Sequence, residues 1–216
     1  MTTNKSKIAV IGLGNIGKIV AANLIKSNRP VIVASRKPDD AKSFAKESGA
    51  LATPLEVSTA IKEADIVVMA VWFDTIKELV GKYTSELKGK IIIDPSNPIA
   101  PDGNGGFKKI IGEKESAGKI IAQLLSGNAK LVKAFGSLAA ASLSGQAYTK
   151  PEKVLFYTTD DASLKNKVEE LIKDSGFEPL YAGGVDQSIR IEVFGDLHEY
   201  GALGKVVTLA EAKAKI

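Results

Sequence analysis

Apolar residues in this chain fall into short continuous runs that alternate with segments of helical periodicity. The runs predict β-strands over residues 8–11, 29–35, 51–53, 64–71, 90–94, 130–135, 154–159 and 177–182. Helices are predicted between them, over residues 19–26, 39–48, 54–63, 74–86, 116–125, 139–143 and 162–175. Near-continuous apolar runs such as 64–71 are typical of strands buried on both faces of a parallel sheet. Strands that alternate with helices in this way predict an α/β fold with a doubly wound, mostly parallel sheet.

Two stretches lack a clear period. Residues 99–112 are predicted to form a loop around the glycine-rich stretch 103–106, which is either a substrate lid or a plain flexible connection. Residues 187–214 predict a broken helix that is interrupted by Gly195, Gly201 and Gly204.

The first predicted strand leads directly into glycines at the G-x-G-x-x-G spacing, and a helix follows at once. This arrangement is the dinucleotide-binding fingerprint of the Rossmann fold. Gly12 permits the tight turn, Gly14 lets the backbone approach a pyrophosphate, and Gly17 lets the helix pack closely on the strand. The alternative is a glycine-rich turn without a ligand. The strand and helix on either side favour cofactor binding, through Gly12, Leu13, Gly14, Asn15, Ile16 and Gly17.

The end of the second predicted strand indicates which dinucleotide is bound. NAD-binding enzymes usually carry an acidic residue here that binds the adenosine ribose, but this chain has Ser35, Arg36 and Lys37. A hydroxyl group and a planar guanidinium suit a 2′-phosphate, so these residues favour NADP over NAD. The alternative is that Arg36 and Lys37 are only exposed charges in a turn.

Ligands of open parallel sheets bind outside the carboxyl ends of the strands. Val71 and Trp72 follow the fourth strand and should lie beside the cofactor, although the tryptophan could instead fill the core. Asn97 lies between two prolines after the fifth strand and could contact the nicotinamide ribose, whereas a structural turn explains the prolines equally well. The sixth strand ends at Phe135 on the same side.

Composition narrows the class of protein. The chain has 216 residues, 44% hydrophobic and 25% charged, which is ordinary for a soluble globular protein. We expect one domain over residues 1–216, with the dinucleotide-binding part in 1–98, the remaining strands and helices in 99–185 and a short helical segment in 186–216. No cysteine is present, which excludes disulfides, thiolate catalysis and zinc–cysteine sites.

The charge pattern and the N-terminus bear on partners and location. The formal charge is +4 and the pI is about 9.0, but the lysines are scattered among carboxylates. A solvated surface is therefore favoured over nucleic-acid binding. The polar start of the chain and the glycines after it predict neither a signal peptide nor a membrane span, and a cytoplasmic location is expected.

Few residue types that catalyse proton transfer are present. His198, the single histidine, could be a general acid or simply a surface or interface residue. Arg190 and Glu192 could pair with each other or contact a substrate. The sequence shows neither a metal-ligand cluster nor a P-loop. Direct hydride transfer between two stacked rings needs little acid–base help, which suits such a chain.

With these motifs placed, the chain resembles the deazaflavin (coenzyme F420)-dependent NADP oxidoreductases, which pass hydride between the reduced deazaflavin and NADP. The resemblance covers nearly the full length and rests on residues 11–17, 34–36, 70–72, 94–98, 132–135, 174–179 and 182–184. It implies NADP contacts at residues 12–17, Ser35, Arg36, Ala70, Val71, Trp72, Asn97, Ala134 and Phe135. Two departures, at residues 136–137 and 192–200, lie on the side where the second substrate should enter.

The resemblance and the residues together predict an NADP(H)-dependent oxidoreductase that works as a homodimer. Its small-molecule partner would be a flat redox compound, either a deazaflavin, a flavin or a similar molecule. The first alternative is a reductase of a small imine or carbonyl substrate. The second is a redox sensor that binds NADP(H) without turnover.

Overall fold

The computed structural model describes residues 5–215 and places eight strands in one sheet. With a separate two-stranded hairpin, ten strands lie within these residues: β1 (Ile8–Ile11), β2 (Val31–Ala34), β3 (Ala52–Pro54), β4 (Ile66–Met69), β5 (Ile91–Asp94), β6 (Ile99–Pro101), β7 (Phe107–Lys109), β8 (Lys130–Ala134), β9 (Val154–Thr158) and β10 (Glu178–Tyr181). The order in the sheet is β10-β9-β8-β5-β4-β1-β2-β3, and β6 and β7 form a separate hairpin. This order confirms the predicted α/β fold of the Rossmann type.

Helices cover both faces of the sheet. They are α1 (Asn15–Lys26), α2 (Pro38–Ser48), α3 (Val57–Glu63), α4 (Phe73–Lys82), α5 (Ala117–Leu124), α6 (Ala140–Gly145), α7 (Lys165–Asp174), α8 (Ser188–Ile191) and α9 (Leu209–Lys213). Ile8 and Val10 of β1 pack in one cluster with α1, α2, α6 and α7, whereas Ala9 and Ile11 pack in a second cluster with α3, α4 and α5. Successive strand side chains point to opposite faces, so every position of β1 is apolar.

One pair of strands runs against the rest of the sheet. β9 pairs antiparallel with β8, through Lys133 opposite Thr158 and Ala134 opposite Tyr157, and β10 is parallel to β9. The sheet is therefore mostly parallel, as predicted. The carboxyl ends of β9 and β10 consequently face the opposite edge from those of β1, β2, β3, β4, β5 and β8, so only the latter six strands can build the cofactor edge.

Two regions differ from their predicted local structure. Residues 99–112, predicted as a loop, contain the antiparallel hairpin of β6 and β7, in which Ile99 pairs with Lys109. The C-terminal segment has the two short helices α8 and α9, joined by turns rather than by further helix. The glycines crowd the chain there: a Cβ on Gly201 would overlap the carbonyl of Gly195. None of the helices in residues 5–215 is long and apolar enough to cross a membrane.

Candidate functional site

The glycine-rich turn has the geometry that its spacing predicts. Gly12 has a φ of +95°, and its N–H donates to the Ala34 carbonyl across 2.8 Å. A Cβ on Gly12 would meet the Ala70 carbonyl oxygen at 2.5 Å, and one on Gly17 would overlap the carbonyl oxygen of Gly12. By contrast, a Cβ on Gly14 would meet nothing within 4 Å. The first and third glycines therefore close the turn, while the second leaves the backbone open to a ligand.

Helix α1 begins at this turn, and within residues 5–215 no side chain caps its N-terminal N–H groups. Gly14 is its N-cap and makes no side-chain cap, and the first turn holds no acidic residue. Unpaired N–H groups and the positive end of the helix dipole favour a phosphate at this position. Of the other predicted contacts in the turn, Leu13 is buried, Ile16 is half-buried and Asn15 is exposed. The turn thus fits the pyrophosphate of a dinucleotide.

The predicted 2′-phosphate residues follow β2. Arg36 and Lys37 are exposed, and neither forms an ion pair within residues 5–215. The Ser35 hydroxyl accepts from the Lys37 N–H at 3.3 Å and lies 3.4 Å from a carboxylate oxygen of Asp40. Asp40 lies in the first turn of α2, whose N-cap is Lys37. The two cations are available to an anion that displaces Asp40 from Ser35.

Trp72 is not part of the core. Its side chain is 61% exposed, at the N-cap position of α4, while Ala70 and Val71 before it are half-buried. The alternative that the single tryptophan fills the core is therefore wrong. Because β4 ends at Met69, the three residues lie at the carboxyl edge next to the glycine-rich turn.

Asn97 joins three segments of the chain. Its Nδ2 donates to the Gly136 carbonyl at 3.0 Å, and its Oδ1 accepts from the Val193 N–H at 2.7 Å. The side chain thus connects the ends of β5 and β8 to the C-terminal segment. An asparagine amide retains one N–H and one lone pair after these bonds, so the nicotinamide ribose contact stays a prediction.

At the corner after β8, main-chain groups and not side chains are placed to contact a cofactor. Ala134 and Phe135 are fully buried, and Phe135 has a φ of +64° that aims its ring into the core cluster. Any cofactor contact there would be made by main-chain groups. Gly136 follows, and a Cβ on it would lie 2.9 Å from the Pro95 carbonyl oxygen. The loops after β5 and β8 therefore approach each other closely at this glycine.

A buried charged cluster, which no sequence motif indicated, lies under this edge. The Lys133 ammonium lies 2.8 Å from Asp94 Oδ2, donates to the Ser96 carbonyl and lies 3.9 Å from Glu192 Oε1. Lys133, Asp94 and Glu192 are all buried. The available signal was a lysine inside an apolar strand, because a buried lysine is rare unless it is paired.

Two glutamates anchor the C-terminal segment to helix N-termini. Glu192 accepts from the N–H groups of Ala117 and Gly118, at 3.0 and 2.9 Å, at the start of α5. Glu199 accepts from the Ala139 N–H and, at 2.6 Å, from the Ser142 hydroxyl at the start of α6. Carboxylates at these positions are stabilised by the helix dipole and satisfy free N–H groups.

Arg190 and Glu192 do not pair with each other. Arg190 instead pairs with Asp196 at 2.8 Å, near the surface, while Glu192 is buried against α5. The two side chains therefore have separate structural roles.

His198 is buried, so of the roles that the sequence left open the exposed surface residue is excluded. Its Nδ1 accepts from the Tyr200 N–H at 3.0 Å, and its ring lies 5.6 Å from the Tyr200 ring centroid. Burial lowers the pKa of His198 below 6.5, against the opposing effects of the Glu199 carboxylate and the Gly136 backbone. The imidazole is consequently neutral at pH 7. No cluster of three or more metal-ligating side chains occurs within residues 5–215.

Comparisons with known proteins agree with this geometry. Residues 7–98 match the family model described as NADP oxidoreductase, coenzyme F420-dependent. An F420-dependent NADP reductase of Methanocaldococcus jannaschii is 25% identical, over 88% of this chain and 90% of its own length. Metalloreductase STEAP3 of Rattus norvegicus is 26% identical over 86% of this chain, which spans only 36% of that protein.

A solved structure agrees over nearly the whole chain. A hypothetical protein from Sinorhizobium meliloti superposes with a TM-score of 0.80 at 29% identity, covering 91% of this chain and 95% of its own. The glycine-rich turn lies inside the part that matches the family model. Residues 7–98 are thus similar to the coenzyme F420-dependent NADP oxidoreductases, and these similarities support an NADP-dependent oxidoreductase with a Rossmann fold.

Proposed function

We propose that this protein transfers hydride between NADP(H) and a flat redox compound of the deazaflavin or flavin type. The observation that carries the proposal is the common edge of the sheet. The open turn at Gly14, the free cations Arg36 and Lys37, and the exposed ring of Trp72 all follow strands whose carboxyl ends meet there. The named activity of the Methanocaldococcus jannaschii relative, an F420-dependent NADP reductase, supports the same choice.

Each part of the edge has a distinct task. The turn and the N-terminus of α1 would hold the pyrophosphate, and Arg36 with Lys37 would hold the 2′-phosphate. The nicotinamide would then lie beyond the ends of β4, β5 and β8. The reaction moves one hydride from the reduced nicotinamide to the oxidised acceptor, and the acceptor takes up one proton from water. The protein contributes proximity and alignment of the two rings.

The state of the buried groups favours a flat acceptor over a small imine or carbonyl compound. Reduction of such a compound requires a proton donor beside the reacting carbon or nitrogen. His198 is neutral and buried, and Lys133 is engaged with Asp94 and Ser96. Neither group is presented to a substrate at this edge.

Steady-state oxidation of NADPH with a panel of acceptors tests the proposal. The panel contains oxidised coenzyme F420, FMN, a cyclic imine and a 2-keto acid, with ferric citrate added because one relative is a metalloreductase. We expect turnover with F420 or FMN, and much less with NADH as donor. Turnover with the imine or keto acid alone would transfer the assignment to the small-molecule reductases. Tight NADPH binding without turnover would instead support the redox sensor.

We further propose that the protein is a cytoplasmic homodimer. Phe107, Ile110 and Leu124 are exposed large apolar side chains of the kind found at subunit interfaces. Light scattering after size-exclusion chromatography should give twice the mass of 22.8 kDa. A mass that stays at 22.8 kDa across a hundredfold dilution range would contradict the dimer.

A further inference from the structure

Phe194 combines a rare backbone conformation with an exposed ring. Its φ is +69° and its side chain is 55% exposed. Bulky residues rarely adopt this left-handed conformation, and they do so mostly where function or packing requires it. Packing does not explain Phe194, because most of its ring faces solvent.

The other non-glycine residues with positive φ in residues 5–215 have evident reasons for it. Asn28 and Asn128 are asparagines, which tolerate the left-handed region. The ring of Phe135 is buried in the core, and the Tyr148 hydroxyl donates to the Asp174 carbonyl at 2.7 Å. Phe194 has neither of these compensations.

The chain around Phe194 is held on both sides. The Val193 N–H donates to Asn97 Oδ1 at 2.7 Å, and the Gly195 N–H donates to the Glu192 carbonyl at 2.8 Å. The Glu192 carboxylate is itself bound to the start of α5. A Cβ on Gly195 would overlap the carbonyl oxygens of Ile189 and Arg190, so the turn has no room to relax. The exposed ring is therefore displayed by a fixed scaffold.

The bond to Asn97 locates this scaffold on the cofactor edge. Asn97 follows β5, whose carboxyl end lies between those of β4 and β8. Phe194 is thus one residue away from a direct contact with the loop where the nicotinamide end of the cofactor is expected. A flat conjugated acceptor that meets the nicotinamide there would come within reach of the phenyl ring.

We infer that Phe194 contacts the flat hydride acceptor and aligns its ring plane. This inference rests on the proposed function and adds to it the residue that recognises the acceptor. Aromatic contacts of this kind favour offset or edge-to-face geometry, and they require a conjugated partner. Alignment of the acceptor depends on the position of the Phe194 ring. This requirement accounts for the unfavourable backbone conformation of Phe194.

Three variants of Phe194 test the inference. Phe194→Leu keeps an apolar side chain without an aromatic ring, Phe194→Gly also removes the unfavourable conformation, and Phe194→Tyr keeps the ring. Tyr83→Leu is the control, at a half-buried aromatic residue at the C-terminal end of α4, on the edge of the sheet opposite the glycine-rich turn. The readouts are KM for oxidised F420 and for FMN, KM for NADPH, direct titration of the NADP+-loaded protein with FMN, and the melting temperature.

We expect Phe194→Leu and Phe194→Gly to raise the KM and Kd of the flat acceptor by up to about tenfold, since the loss of one aromatic contact weakens binding by about that factor. The KM for NADPH should not change, and the melting temperature of Phe194→Gly should be no lower than that of the wild type. Phe194→Tyr should keep acceptor binding at the wild-type level, and Tyr83→Leu should leave the acceptor constants unchanged.

Unchanged acceptor constants in both Phe194→Leu and Phe194→Gly would overturn the inference while leaving the proposed function intact. A wild-type protein that binds NADPH but neither reduces nor binds F420 or FMN would overturn both. The two failures are therefore distinguishable in one set of measurements.

Discussion

The ammonium of Lys133 lies 2.8 Å from the carboxylate of Asp94, and the two residues face each other in register on the parallel strands β5 and β8. Lys133 also donates to the Ser96 carbonyl, and the Ser96 N–H donates to Asp94 Oδ1 at 2.7 Å. The ion pair therefore closes the base of the loop that carries Asn97. It couples the stability of the sheet to the shape of the cofactor edge.

Replacing one partner of this pair should be costly. Lys133→Met leaves Asp94 buried and unpaired, which typically reduces the free energy of unfolding by about 3–5 kcal/mol. Urea unfolding measures the change. Lys130→Met is the matched control, because that lysine is 48% exposed at the start of the same strand and its contact with Asp161 spans 3.8 Å. Its effect should be below about 1 kcal/mol, and equal losses in the two variants would contradict the role of the buried pair.

Arg36 should discriminate between the two dinucleotides. Arg36→Ala removes a charge-assisted contact with the 2′-phosphate that NADH lacks, so the Kd for NADPH should rise about ten- to a hundredfold. Calorimetric titration with NADPH and NADH measures both constants. The Kd for NADH should stay within about twofold of the wild-type value.

Lys46→Ala, on the exposed last turn of α2, is the control for a general loss of positive charge. Equal weakening of NADPH and NADH binding in Arg36→Ala would exclude the 2′-phosphate role. A matching effect of Lys46→Ala would point to long-range electrostatics instead.

The second and third glycines of the turn should respond differently to alanine. A Cβ on Gly17 would overlap the Gly12 carbonyl oxygen, whereas one on Gly14 would meet no atom within 4 Å. Gly17→Ala should therefore lower the free energy of unfolding by about 1–3 kcal/mol or more through overpacking. Gly14→Ala should melt near the wild-type temperature and still bind NADPH at least about tenfold more weakly, since the pyrophosphate needs that space.

Thermal unfolding with and without NADPH separates the two effects. A Gly14→Ala protein with wild-type affinity for NADPH would show that the pyrophosphate does not approach the turn at that residue.

His198 should make the protein less stable in mild acid. Burial lowers the pKa of His198 below its ordinary value of 6.5, so the unfolded chain binds the proton more readily than the folded protein. Stability should therefore fall as pH drops below about 6.5, by at most about 1.4 kcal/mol per pH unit, until the folded pKa is reached. Urea unfolding at several pH values between 7.5 and 5 measures the slope.

His198→Asn is the variant of choice, because an amide oxygen can still accept from the Tyr200 N–H in place of Nδ1. The slope of stability against pH should become shallower in this variant. Parallel slopes would mean that protonation of His198 does not contribute.

Local patterns in the sequence were sufficient to predict the strand, turn and helix at the glycine-rich end of the candidate cofactor site. The glycine-rich turn, β1 and α1 lie within 20 consecutive residues, and their spacing reflects steric limits that act between near neighbours. The alternation of apolar runs with helical periods likewise indicated the α/β class, because burial on both faces of a sheet demands apolar residues at every position. The position of the cations after β2 could be predicted for the same reason, since they directly follow a recognisable strand.

The tertiary structure alone decided which distant residues meet at the back of the site. Glu192 binds the start of α5, more than 70 positions earlier in the chain, and Asn97 binds Val193 across a similar distance. His198 is buried and Phe194 is exposed, although a polar ring and an apolar ring suggest the reverse. No local sequence pattern indicates that β9 pairs antiparallel to β8 either. These features depend on contacts between remote segments, whose energies become defined only when the sheet has brought the segments together, and periodicity within one segment carries no information about them.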